Sequence, residues 1–168
     1  MLVYVQYFSI QYSVITVFNH IINANSYMYT CTIFLFYSGN ISLVVQVDDS
    51  SVWFADGILI GSTPSWDVRR TFSIPASTHI LAVEAYNYES GCAIFASLWT
   101  GVASDTSWKC VAEQPSSDSW KTDADFDDSS WLNAVDRNAN YLGVDGPKIW
   151  AAEGCTPDMF VYCRVKLP

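Results

Sequence analysis

Positive charge is scarce in this chain. Of 168 residues, eight are Lys or Arg against seventeen Asp or Glu, and the formal net charge is -9. Phosphate recognition needs clustered Lys and Arg, so this balance argues against a nucleic-acid partner. It argues equally against docking on an anionic membrane surface. Histidine is almost missing, with only His20 and His79. His79 begins an apolar run and has no G-x-S-x-G or similar nucleophile motif to serve, which leaves a hydrolase of the Ser or Cys type without a basis. No C-x-x-C spacing occurs among the cysteines, so a structural zinc site is not indicated. Long, charged segments with a 3.6-residue apolar period are absent too, and with them the case for a helical protein.

Charge of either sign is missing from the first 47 residues. Asp48 is the first charged side chain, and no Lys or Arg precedes Arg69. Residues 1–42 form an uncharged leader in which Leu2–Phe18 and Cys31–Tyr37 are apolar and aromatic. Four readings stand side by side. A secretory signal would need a basic start and a small-residue cleavage site, and neither is visible. A membrane anchor would need about 20 apolar residues, whereas Gln6, Ser9, Gln11 and Ser13 interrupt the first run. The segment is otherwise an inaccurate gene start, or a set of leading strands, which its Val, Ile, Tyr and Phe would support. A membrane association is expected only if this leader is an anchor.

What is abundant is aromatic: seven Trp, ten Tyr and nine Phe in a chain that is half hydrophobic. Such side chains suit pleated, half-buried surfaces, and the length fits about one domain with a full core. Short apolar runs recur from Ser42 onward, at Ser42–Val47, Val52–Phe54, Ile58–Ile60, Val68–Ile74, His79–Tyr86, Cys92–Trp99, Ser107–Val111, Ile149–Ala151 and Met159–Leu167. Asp56-Gly57 between two of them is a hairpin signal, because Gly tolerates the positive φ of the tight turn. In the last run Met159, Val161, Cys163, Val165 and Leu167 alternate with Phe160, Tyr162, Arg164 and Lys166. Pro115–Trp131 is polar and acidic and predicts a long ordered loop with one helical turn at Asp127–Trp131. Strands at this spacing, one face wet, imply an all-β antiparallel sandwich.

Six pieces together resemble the galactose-binding-like domain, a jelly-roll sandwich found in lectins, carbohydrate-binding modules and enzyme accessory domains. They are Asp48-Asp49-Ser50 with Val52–Gly57; His79–Ala85; Cys92–Leu98; Thr106–Cys110; Asp125-Phe126-Asp127-Asp128-Ser129-Ser130-Trp131, similar to the F-D-D-S-x-W element of such domains; and Lys148–Trp150 with Val161–Arg164. The resemblance covers residues 43–168 and implies a non-catalytic binding or accessory module. It names no ligand, and the strands such domains carry before Ser42 are replaced here by the uncharged leader.

Residue chemistry narrows the candidates. Sugars are held by an aromatic platform with a few fixed polar groups, which selects Trp66 with Asp67 and Arg69, Tyr86 with Asn87, and Asp48 and Asp49 if their loops share one end of the sandwich. Trp66 and Tyr86 could equally fill the core edge. Asp123, Asp125, Asp127 and Asp128 form a candidate calcium site, since Ca2+ takes six to eight oxygens; they lack the Gly and distal Glu of an EF-hand, and solvated turn chemistry is the competing account. Asp127 and Asp128 are also the carboxylates a glycosidase would use, although a domain this small rarely holds such a cleft. Five cysteines leave one unpaired or bonded between chains. In a secreted domain two bridges among the last four cysteines are expected. Cys110–Cys163 is the favoured pair, as both lie on core strands, which leaves Cys92–Cys155; buried thiols are the alternative. Asn40-Ile41-Ser42 is an N-glycosylation sequon. The expectation is a secreted or cell-surface module that binds a glycan or glycoprotein, with a structural or adhesive module that binds protein or matrix as the competing class.

Overall fold

The computed structural model describes residues 39–89, 91–98, 101 and 104–168, together with the backbone of two short strands at 14–17 and 31–34. His20, Trp99 and most of Leu2–Phe18 lie outside the described residues. The chain divides into two compact units, Met1–Gly39 and Asn40–Pro168. In the first, β1 (Val14–Val17) pairs antiparallel with β2 (Cys31–Phe34), Val14 opposite Phe34. Among the described residues no helix is long and apolar enough to cross a membrane.

The second unit is all-β. It contains β3 (Asn40–Asp48), β4 (Ser50–Ala55), β5 (Ile58–Thr63), β6 (Arg70–Pro75), β7 (Ile80–Asn87), β8 (Ala93–Leu98), β9 (Lys109–Val111), β10 (Leu132–Asn133), β11 (Val135–Asp136), β12 (Ile149–Trp150) and β13 (Met159–Lys166). Two antiparallel sheets result, one in the order β10-β9-β13-β7-β4-β5 and the other β11-β12-β8-β3-β6. Their facing sides share one core. Leu43, Val45, Val47, Ile94 and Ile149 come from the five-stranded sheet, and Trp53, Leu81, Val83, Ala85, Val161 and Cys163 from the six-stranded sheet. The residues follow the period of two that a strand imposes. On β13, Val161 and Cys163 point into this core, while Tyr162 joins a separate cluster on the outside.

The Asp56-Gly57 turn has φ of 47° and 77°, the left-handed pair that a two-residue hairpin requires. It joins Ala55 to its partner Ile58. The Asp56 carboxylate accepts the backbone N–H groups of His79 and Ile80 at 3.0 and 2.8 Å, which ties the hairpin to the start of β7. Further along, the register slips between Trp53 and Phe54.

Both outer faces are partly covered. Residues 119–131 lie over the six-stranded sheet, where Trp120 and Trp131 pack with Phe54, Ile80, Ala82 and Tyr162. Ala139 and Leu142 pack over the five-stranded sheet with Ala93, Phe95, Val44 and Val144. The helical turn expected at Asp127–Trp131 is not there. The helix, α1, is Ser119–Thr122, anchored by buried Trp120, and Ser129-Ser130 form only a turn closed by Trp131 N–H on the Asp128 carbonyl at 3.0 Å. A single turn carries too little intrinsic propensity to be placed by sequence; the aromatic anchor decides it.

Two disulfides are formed, Cys110–Cys163 and Cys92–Cys155. Cys110 and Cys163 are directly opposite on β9 and β13. The bridges fit an oxidising, extracellular-type environment. Cys31 is the remaining cysteine, and its side chain is outside the described residues.

Candidate ligand-binding site

Strand β3 alternates inward Val45 and Val47 with outward Gln46 and Asp48, so its last polar residues emerge on the outer side of the five-stranded sheet. There they meet the segment after β11. The Tyr141 hydroxyl donates to Asp48 Oδ2 at 2.5 Å. Trp66 stands edge-on to Tyr141, ring centroids 6.5 Å apart and planes at 69°. Gln46 holds the Trp66 loop by donating from Nε2 to its carbonyl at 2.8 Å, and accepts from Arg69 Nε at 3.3 Å. Arg69 Nη2 then reaches the Gly143 carbonyl at 3.2 Å. Asp48, Trp66 and Arg69 are thus gathered around Tyr141, which sequence reasoning did not select. Trp66 and Tyr141 are 47% and 50% exposed, so neither ring is spent on the core.

Beside this pair is a cavity of about 170 Å³ lined by Gly91, Cys92, Arg137, Ala139, Tyr141 and Cys155. Gly91 has a φ of 111° and no room for a side chain. A methyl group there would stand 2.8 Å from Asp48 Oδ2 and 3.1 Å from the Tyr141 hydroxyl. Arg137 is the one charged residue in the lining, and its Nε and Nη2 are buried with no hydrogen-bond partner. A buried N–H left without an acceptor costs about 1–3 kcal/mol, and more when the group is charged. Nothing local in the sequence marks Arg137 or Tyr141; Tyr141 joins Asp48 through a contact 93 residues apart along the chain.

The other selected residues go elsewhere. Asp67 accepts from the Ser65 hydroxyl at 2.6 Å within its own turn. Asp49 bonds across to β7, its N–H to the Tyr86 carbonyl and its Oδ2 accepting Tyr88 N–H at 2.6 Å. Tyr86 projects from the outer face of the six-stranded sheet, away from the Trp66 cluster. Its hydroxyl donates to Asp158, and its ring packs on Tyr88 and Phe160 at 4.6 and 4.4 Å. Tyr86 and Phe160 flank a second, hydroxyl-rich groove of about 260 Å³ with Ser50, Ser51, Ser62 and Thr63. Asn87 is buried and donates to the Thr156 carbonyl at 2.7 Å, a structural tie rather than an open ligand contact.

The acidic run does turn chemistry. Asp123 and Asp127 accept the N–H groups of Asp125 and Ser129 at 2.8 and 3.0 Å, and the Ser129 bonds hold the Asp127 carboxyl below the usual carboxylate range. Asp128 pairs with Arg164 at 3.1 Å, and Asp125 lies 3.8 Å from Lys166. Among the described residues no three acidic, Cys or His side chains converge as a metal site would require. No protein-family model, curated protein or solved structure matches the chain.

Burial, offset by the Tyr141 bond and reinforced by neighbouring Asp49, pushes the Asp48 carboxyl up from 3.8 to about 6. Tyr141 is raised in turn, by burial and by the carboxylate it faces. An acid raised on folding favours the folded state while it stays protonated. Its contribution is complete below the unfolded value and is lost as pH rises through the folded value. Each tenfold change in acidity is worth about 1.4 kcal/mol. The expected result is therefore a stability loss of about 1–3 kcal/mol between about pH 4 and pH 7, which Asp48→Asn removes. Melting curves across pH would show the variant more stable at about pH 7.5 and equal to the parent at about pH 3.5; a difference that is constant with pH would refute the assignment.

Proposed function

We propose that residues 40–168 are a non-catalytic extracellular binding module of the galactose-binding-like, jelly-roll type, and that it takes a carbohydrate at the Trp66–Tyr141 surface and the adjoining cavity. One observation carries this reading: two half-exposed rings meet beside a cavity whose guanidinium has unanswered donors. Aromatic faces suit the C–H side of a pyranose, and fixed polar groups read its hydroxyls. The two disulfides support placement in the secretory route or at the cell surface. Calcium is not part of the reading, since the carboxylates of 123–128 serve turns and Arg164. Nor is a glycosidase mechanism, since Asp127 and Asp128 lie over the opposite outer face from the cavity.

A glycan array followed by calorimetry tests it. A neutral or acidic sugar is expected to bind in the presence of chelator, and Trp66→Ala is expected to weaken binding at least about tenfold, roughly 1.4 kcal/mol, while Phe160→Ala leaves it unchanged. Absence of any binding at millimolar sugar would remove the proposal.

A second reading has its own observation. Tyr88 and Phe160, 54% and 51% exposed, extend an aromatic row with Tyr86 on the six-stranded sheet, a surface suited to a protein partner. If sugar fails to bind and a protein ligand is lost on Phe160→Ala, the adhesive function replaces the first.

A further inference from the structure

Resting on the carbohydrate reading, we propose that the cavity selects an acidic sugar and that Arg137 is the residue that recognises its carboxylate. The two unpartnered nitrogens, Nε and Nη2, are the pair that forms the side-on edge of a guanidinium. That edge matches the two oxygens of a carboxylate, which accept parallel N–H bonds of the charge-assisted kind. A neutral hydroxyl would answer one of these donors, whereas a carboxylate answers both. Arg137 is the sole charged residue in the lining, in a chain whose net charge is -9. Arg69 adds a second guanidinium on the same segment through the Gly143 carbonyl.

Three carboxyls flank the region and define what the anion must avoid. Asp48 is shielded behind the Tyr141 hydroxyl and only 6% exposed. Asp49 is engaged by Tyr88 N–H. Asp136, next to Arg137, accepts the N–H groups of Asn138 and Lys148. None of the three lines the cavity. Both orphaned nitrogens are shut off from water, so seating the anion requires the guanidinium to turn toward the cavity. The main chain of Arg137 is fixed by its backbone N–H on the Lys148 carbonyl at 2.7 Å, and the proposed seating leaves that bond in place. At about 170 Å³ the space is below the roughly 300 Å³ at which drug-sized sites begin, so it takes one terminal sugar or its acidic substituent rather than a chain.

Calorimetry on the full chain with matched pairs tests this: galacturonate against galactose, glucuronate against glucose, and N-acetylneuraminate against its methyl ester, with acetate as the bare anion. Each acid is expected to bind at least about tenfold tighter than its neutral partner, and the gap to shrink at high salt. Arg137→Met is expected to abolish the gap while leaving the weaker neutral affinity in place. Arg137→Lys, which keeps the charge but not the fork, is expected to lose most of it, and guards against a folding defect in the first variant. Trp66→Ala should weaken acid and neutral sugar alike. Equal binding of acids and neutral sugars would overturn the role of Arg137 and leave the carbohydrate reading standing. Acetate binding as tightly as the acids would overturn the selection of a sugar acid, and binding of none would overturn both readings.

Discussion

Arg164→Met is expected to lower stability by about 3 kcal/mol and to detach residues 119–131 from the sheet they cover. Arg164 is 1% exposed, on the outer side of β13. Its guanidinium donates to two backbone carbonyls, Phe126 at 3.3 Å and Asp123 at 2.8 Å, and pairs with Asp128 at 3.1 Å. It also lies over the Phe126 ring at 5.2 Å. Breaking a fully buried ion pair costs about 3–5 kcal/mol because a bare charge stays behind. Here the Asp128 side chain is 28% exposed and rehydrates when its partner is removed, which brings the figure to the lower end. Two carbonyls left without donors and the lost packing account for most of the effect. Asp128→Asn, which keeps all carbonyl bonds, should therefore cost only about 1 kcal/mol. Urea unfolding of the two variants measures the difference. Loosening of the loop would show as a red-shifted emission from Trp120 and Trp131 and new proteolytic cleavage within 119–131. Equal stabilities for Arg164→Met and the parent would mean that the loop is held by its aromatic anchors alone.

That arrangement marks where sequence reasoning reaches its limit. Strand positions were legible wherever alternation or turn chemistry is local: Leu81, Val83 and Ala85 share one face of β7, the odd positions of β13 enter the core, and Asp56-Gly57 makes its hairpin. The bridge partners Cys110 and Cys163 were legible because each lies on a core-facing strand position. The acidic element at 125–131 was visible as a unit, but its purpose was not. Read as a line of carboxylates it suggests a cation; in three dimensions the cation is Arg164, 36 residues further along. The site shows the same limit. Asp48, Trp66 and Arg69 could be named as polar and aromatic loop residues, while Tyr141 and Arg137, which no local pattern marks, acquire their meaning from the Tyr141–Asp48 bond and from the cavity they line together with the Cys92–Cys155 bridge. Tyr86 failed to join them for a reason parity could have given: it is two residues from Glu84 on the solvent side of β7, and that side belongs to the other sheet.

Replacing both Cys110 and Cys163 by Ala is expected to have the largest effect of all, about 4–5 kcal/mol. The bridge spans 53 residues, and the chain-entropy figure for a loop of that length is about 4 kcal/mol. Both side chains are fully buried among Trp53, Trp108 and Val161, so the lost sulfur contacts leave a small void worth about another 1 kcal/mol. The antiparallel register of β9 and β13 remains and cannot compensate, since the entropic effect is exerted on the unfolded chain. Against total stabilities of about 5–15 kcal/mol such a loss leaves a domain only marginally folded. Cys92→Ala with Cys155→Ala opens a comparable span of 63 residues, but Cys155 is only half-buried, so less packing is lost. Its signature is different: this bridge forms part of the cavity wall beside Arg137, and its removal should weaken ligand binding more than its stability cost explains. Urea midpoints of the two double variants, with sugar affinity measured well below each midpoint, separate the two roles. If the Cys110 and Cys163 variant unfolds at the same urea concentration as the parent, the bridge does not hold the sheet. If the Cys92 and Cys155 variant keeps full affinity, the cavity does not depend on that wall.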